Sequence, residues 1–251
     1  MRRRLGAALA GMLLAALAGA AEPLTIAAAS DLIHSLPELN RRFVAAHPET
    51  RIEAVFGSSG NLSAQIRNGA PFHVFLAADG SDPEAVVKAG QGIPDTVTVY
   101  ARGRLALWST NPAIAVEQGM AATVATARRI AIANPEHAPY GRAARAALEF
   151  YGLWPAVQSK RVTADSVAQA AQFVLSGNAD AGLVAWSLLR GPALAGVGRY
   201  QLVPENAHPA LEQTAVLTRH GASHPAARAY LQFLGSAQAQ EILVRHGLGG
   251  G

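Results

Sequence analysis

Phe56-Gly57-Ser58-Ser59-Gly60-Asn61-Leu62 carries the chain out of an apolar stretch (52–56) and into a segment with helical spacing (62–68) that Gly69 stops. A strand that passes into a helix through Gly and Ser reads as a βα unit, and it leaves the first-turn N–H groups of the helix without partners inside it. Two more junctions have the same character: Ala28-Ala29-Ser30-Asp31 and Pro135-Glu136-His137-Ala138-Pro139-Tyr140-Gly141. All three offer uncharged hydrogen-bond donors, and such loops bind anions through exposed N–H groups and the field of the helix start. Meeting in one cleft, they would make a cage for a small oxyanion.

Working outward, strand-like runs at 24–28, 52–56, 74–77, 130–133 and 183–186 alternate with helical patterns at 62–68, 84–89, 142–151 and 166–175. The rhythm predicts an α/β fold with mostly parallel sheets, whose ligands sit beyond the carboxyl ends of the strands. Two runs, 96–100 and 105–108, flank Gly103 and read as long connecting strands. The first helix has two possible starts. Ser30 could cap a helix that Pro37 kinks, or a turn at 31–34 could lead into a helix near Leu36, opened by the capping box Ser35-Leu36-Pro37-Glu38.

Residues 1–21 read as a secretory signal peptide: a basic start at Arg2, Arg3 and Arg4, a short apolar stretch, and a small-residue cleavage site at Ala18-Gly19-Ala20. Cleavage there leaves 18 basic against 17 acidic side chains, a net charge of +1. That balance excludes the concentrated basic face a nucleic-acid binder needs. The chain has no cysteine, which excludes disulfides, thiolate metal sites and a lipid-modified N-terminal cysteine. The expected product is free in the periplasm. Its eight histidines show no metal-ligand spacing in sequence, and no P-loop or G-x-G-x-x-G occurs.

Four segments resemble the N-terminal half of periplasmic molybdate-binding proteins: Ala27-Ala28-Ala29-Ser30, Phe56 to Leu62, Gln65-Ile66-Arg67-Asn68-Gly69-Ala70-Pro71 and Val74-Phe75-Leu76-Ala77-Ala78-Asp79. Asn134-Pro135-Glu136-His137-Ala138-Pro139-Tyr140-Gly141 is similar to a loop typical of that family, and Asn178-Ala179-Asp180-Ala181-Gly182-Leu183-Val184 to a later strand. The resemblance runs from about Leu24 to Gly247. It implies a two-lobed periplasmic-binding-protein fold of type II, with mixed sheets flanked by helices and two crossover strands. Residues 22–101 and 214–251 would form lobe 1, and 102–213 lobe 2. It also implies a monomer, with no cofactor, that encloses molybdate or tungstate and hands it to the membrane permease of an ABC importer.

Carried over by position, the ligand contacts fall on Ser30, Ser59, Tyr140 and Val167, with a backbone N–H from Asp31. Ser58 and Ala185 are secondary candidates. Ala185, with Trp186 beside it, stands where many members have a tyrosine, and Tyr140 stands where many have a small residue, so Tyr140 could supply the phenol from another direction. Molybdenum would be bound only as the oxyanion, never as a cation.

The chemistry agrees with these residue types. Molybdate at neutral pH is a dianion that accepts hydrogen bonds and donates none, so a cage of donors holds it and rejects hydrogen phosphate, whose proton would lack an acceptor. Asp31 is the awkward member. The expected place for its side chain is solvent or a cap on the local turn; a carboxylate pointing inward would favour a protonated anion. Other readings are a receptor for sulfate, phosphate or a small organic anion, and a secreted serine hydrolase using Ser59 or Ser30, which would need a histidine within hydrogen-bond reach. The expectation is a binding protein and not an enzyme. His137 is expected to stabilise its loop, and Arg142 to be a solvent-exposed helix residue.

Overall fold

The computed structural model describes residues 22–249, so the expected signal peptide lies outside the described residues. Ten strands form two sheets: β1 (Leu24–Ala29), β2 (Ile52–Gly57), β3 (Val74–Ala77), β4 (Thr98–Gly103), β5 (Leu105–Ser109), β6 (Ile130–Ala133), β7 (Arg161–Ala164), β8 (Ala181–Ala185), β9 (Arg199–Leu202) and β10 (Leu211–Leu217). The first sheet has the order β2-β1-β3-β10-β4 and the second β7-β6-β8-β5-β9. β1 is parallel to β2 and β3, and β6 to β7 and β8, while β10 and β5 run antiparallel to their neighbours. The sheets are therefore mixed, not mostly parallel. The chain passes from the first sheet to the second between β4 and β5, through Arg104, and returns between β9 and β10.

The apolar runs that mark the strands reflect burial on both faces. Leu24, Ile26 and Ala28 of β1 face a cluster with the helices Leu36–Ala46, Ala227–Leu234 and Ala237–Arg245. Ala27, between them, faces Leu62, Ile66 and Val86 on the other side. That alternation follows from the two-residue period of a strand. The second sheet has its own core around Trp108, Ile132 and Leu183, covered by the helices Pro139–Phe150 and Val167–Leu175.

After β1 the chain makes a 3₁₀ turn at Ser30–Leu32, and the helix Leu36–Ala46 starts afresh with Pro37 in its first turn. Of the two starts left open by the sequence, this is the second, since a proline in the first turn costs no hydrogen bond. The capping box does not form. Ser35 Oγ reaches the Leu32 carbonyl (3.4 Å), and Glu38 is drawn away to Arg245 and His246 of the last helix. A charged partner outcompetes a backbone N–H for the carboxylate.

One aromatic anchor ties the first helix to the C-terminal ones. Phe43 is buried, with ring centroids 5.0 Å from Tyr230 and 5.6 Å from Phe233. Replacing it by alanine removes this contact and leaves a cavity. Phe43→Ala is expected to lower stability by about 3–5 kcal/mol in a urea titration.

Candidate anion-binding site

Four chain reversals at the carboxyl ends of β1, β2, β6 and β7 point at one place between the two sheets. They are the 3₁₀ turn at Ser30 and the starts of the helices Ser59–Arg67, Pro139–Phe150 and Val167–Leu175. Two belong to the first sheet and two to the second. Ser30, Asp31, Ser58, Ser59, Tyr140 and Val167 line the small cavity they surround, of ≈ 10 Å³. A void of that size admits little more than a water-sized body, so no sugar or amino acid enters unless the halves part.

The backbone N–H groups of Ser59, Tyr140 and Val167 are first-turn groups with no acceptor inside their helices. Ser59 Oγ accepts the Ala78 N–H at 3.0 Å, and Ser30 Oγ accepts the Ala168 N–H of the other half at 3.3 Å. Each hydroxyl keeps its own hydrogen to donate. Ser58 Oγ is buried and has no partner at all. A buried hydroxyl without a partner costs about 1–3 kcal/mol, and a bound acceptor would relieve that cost. Ala185 ends β8, is fully buried and is absent from the cavity wall; an alanine side chain has no donor in any case.

Asp31 departs from expectation. Its side chain neither faces solvent nor caps its turn: it is 1 % exposed, and Oδ2 accepts hydrogen bonds from Tyr140 Oη (3.1 Å) and Gln213 Nε2 (2.9 Å). Donors remote in sequence reach it only once the chain has folded, and they replace the local turn. Oδ1 is buried without a partner. Burial pushes the carboxyl from 3.8 up to about 6, against the opposing pull of the Tyr140, backbone and Gln213 hydrogen bonds. The Tyr140 hydroxyl is thereby committed to Asp31, which corrects the expectation that it offers a free phenol; its first-turn N–H remains available.

The same region fastens the two halves together. Gly60 N–H donates to the His137 carbonyl (2.8 Å), and Ser187 Oγ to the Asp31 carbonyl (2.9 Å). Arg142, expected in solvent, instead bridges to Asp79 and Asp82 across the seam. Gln213, Ser187 and the Arg142 bridge carried no signal in sequence, because each acquires its role from a partner 60 or more positions away. Two glycines set the closeness of approach. A Cβ on Gly60 would lie 2.6 Å from the His137 carbonyl oxygen, and one on Gly103 would lie 2.2 Å from Tyr140 Oη. Among the described residues no histidine hydrogen-bonds Ser30 or Ser59, the contact that a serine nucleophile would use.

The profile of the bacterial extracellular solute-binding proteins matches residues 24–249. The chain belongs to that family. As a solute-binding protein it is 38 % identical over 232 residues to the molybdate-binding protein ModA of Rhodobacter capsulatus, covering 92 % of this chain and 90 % of the relative. It is 37 % identical to ModA of Azotobacter vinelandii over 98 % of this chain and 97 % of that one. The solved Azotobacter vinelandii periplasmic molybdate-binding protein superposes with a TM-score of 0.83 at 33 % identity, covering 90 % of this chain and 98 % of the other. The two-lobed α/β fold implied by the resemblance is the fold these neighbours share.

Gly60→Ala tests whether the halves must meet this closely. The variant should remain folded but fail to close, and small-angle X-ray scattering with saturating oxyanion should show a larger radius of gyration than for the wild type.

Proposed function

We propose that this protein captures molybdate, and with it tungstate, between its two lobes in the periplasm and delivers it to the permease of an ABC importer. It catalyses no reaction. The observation that carries the reading is the convergence of first-turn N–H groups and serine hydroxyls on one small buried cavity with no cationic side chain in its wall. A dianion buried without compensation would cost tens of kcal/mol. Donors to a charged acceptor return about 1.5–3 kcal/mol each, so five to seven of them, together with the fields of the helix N-termini, work against that loss. The similarity to molybdate-binding relatives over nearly the whole chain supports the choice of anion.

Ser30, Ser59 and Ser58 would donate through hydroxyls, and Asp31, Tyr140 and Val167 through backbone N–H groups. Asp31 gives the site a proton. With Oδ2 occupied by Tyr140 and Gln213, protonation falls on Oδ1 and turns an acceptor that would repel the guest into a further donor. The closed form holds this proton up to about pH 6, whereas an ordinary aspartate loses it near 3.8. Closure therefore takes up a proton within that window and grows more favourable as the pH falls through 6; a bound dianion shifts the window higher still. An ionised Asp31 would instead suit hydrogen phosphate, which gives the anion screen a second arm.

Melting temperature measured with molybdate, tungstate, sulfate and phosphate should rise most with the first two; a rise with phosphate alone would overturn the reading. In calorimetry, Ser30→Ala and Ser59→Ala should each weaken molybdate binding by about 1–3 kcal/mol. Wild-type affinity should increase between pH 7.5 and pH 5.5 with net proton uptake, and Asp31→Asn should flatten that profile.

A further inference from the structure

A second cluster of ligating side chains lies at the far end of the first sheet. The anion cavity sits beyond the carboxyl end of β1, whereas Glu22 lies just ahead of that strand's amino end, His73 immediately precedes β3, and His220 follows the antiparallel β10. At ~3.3 Å per residue, the six residues of β1 put about 20 Å between the two places. His47, His73, His220 and His224 line one depression of ≈ 250 Å³ there, which is half of the chain's eight histidines. Glu22 Oε1 is 3.5 Å from His73 Nε2 and 3.6 Å from His220 Nε2, and the three atoms fall within 4.8 Å of one another.

We propose that Glu22, His73 and His220 form a binding site for a zinc ion, separate from the anion cavity and independent of what that cavity holds. Two imidazole nitrogens and one carboxylate oxygen are a donor set for zinc, with water in the fourth position. Magnesium and calcium prefer oxygen donors alone. Zinc bonds of about 2.0–2.2 Å draw the ligand atoms closer than they stand now. The side chains that have to move are the free ones: Glu22 is 67 % and His220 44 % exposed, whereas His73 is 2 % exposed.

The buried ring has an outer partner for either tautomer. His73 Nδ1 lies 2.8 Å from Thr25 Oγ1, and that hydroxyl donates to the Pro71 carbonyl at 2.9 Å. With its proton on Nδ1 the ring donates into this chain and keeps Nε2 bare for the metal; such outer partners orient ligating histidines. The Thr25 N–H also points at Nδ1, at 2.9 Å, and favours the opposite tautomer in the metal-free ring. Zinc binding thus moves the ring proton from Nε2 to Nδ1. His224, 4.5 Å from His73 between ring centroids, closes the side of the cluster and donates from Nε2 to the Glu22 carbonyl.

The test is calorimetric titration of tag-free, leaderless protein with zinc chloride, with bound metal counted after gel filtration. The expected result is one zinc per chain, about tenfold or more weaker in Glu22→Gln and in His220→Gln, weakened by about tenfold in Thr25→Val, and unchanged in His208→Gln. Because His73 is buried and its replacement could unfold the lobe, the two exposed ligands carry the test. An unaltered melting-temperature response of His220→Gln to molybdate shows that its fold is intact. Failure of the wild type to retain zinc, or wild-type affinity in both Glu22→Gln and His220→Gln, would overturn the proposal.

Discussion

An anion without protons is best buried among donors, and on the function proposed above that is the constraint the cavity at the strand ends has to meet. Each helix start supplies N–H groups its own helix cannot satisfy. Three such starts and the Ser30 turn, drawn from both sheets, meet at one cavity. The mixed sheet order serves this end. With β1 and β6 central and parallel to their neighbours, the ends of β1, β2, β6 and β7 lie on the rims that face each other.

Asp31 is the exception inside that cage, and it is also the knot of the closed form. Its carboxylate gathers Tyr140 and Gln213, and its carbonyl accepts from Ser187. Tyr140 and Ser187 come from the second half, Gln213 from the strand that returns to the first. An irregularity in the β10–β4 ladder between Gln213 and Thr214 falls at this point, as bulges do where a strand re-aims a side chain. The group that complicates anion binding is therefore the one that registers whether the two halves have met.

Much of this was legible along the chain. The strands β3 and β6 stand where the apolar runs at 74–77 and 130–133 placed them, and Ser30, Ser59, Tyr140 and Val167 arrive at one cavity. Strand-to-helix junctions are local, so Gly, Ser and the flanking apolar residues announce them directly. The misreadings have a common cause. The Ser35–Glu38 capping box, the solvent-facing Asp31 and the exposed Arg142 were each inferred from neighbours in sequence, and each was overridden by a partner remote in sequence. The histidine cluster escaped for the same reason: Glu22, His73 and His220 have no ligand spacing in the chain and meet only because the ends of β1, β3 and β10 lie side by side.

The sequence by itself determined the α/β class, the positions of the donor loops and the uncharged nature of the donors, because those properties reside in short stretches and in residue type. Tertiary structure decided which donors remain free, that the Asp31 carboxyl is buried and its pKa raised, and how closely Gly60 and His137 approach. Those are properties of pairs separated by tens to hundreds of positions, and a hydrogen bond or a shifted pKa exists only once both members of the pair are in place.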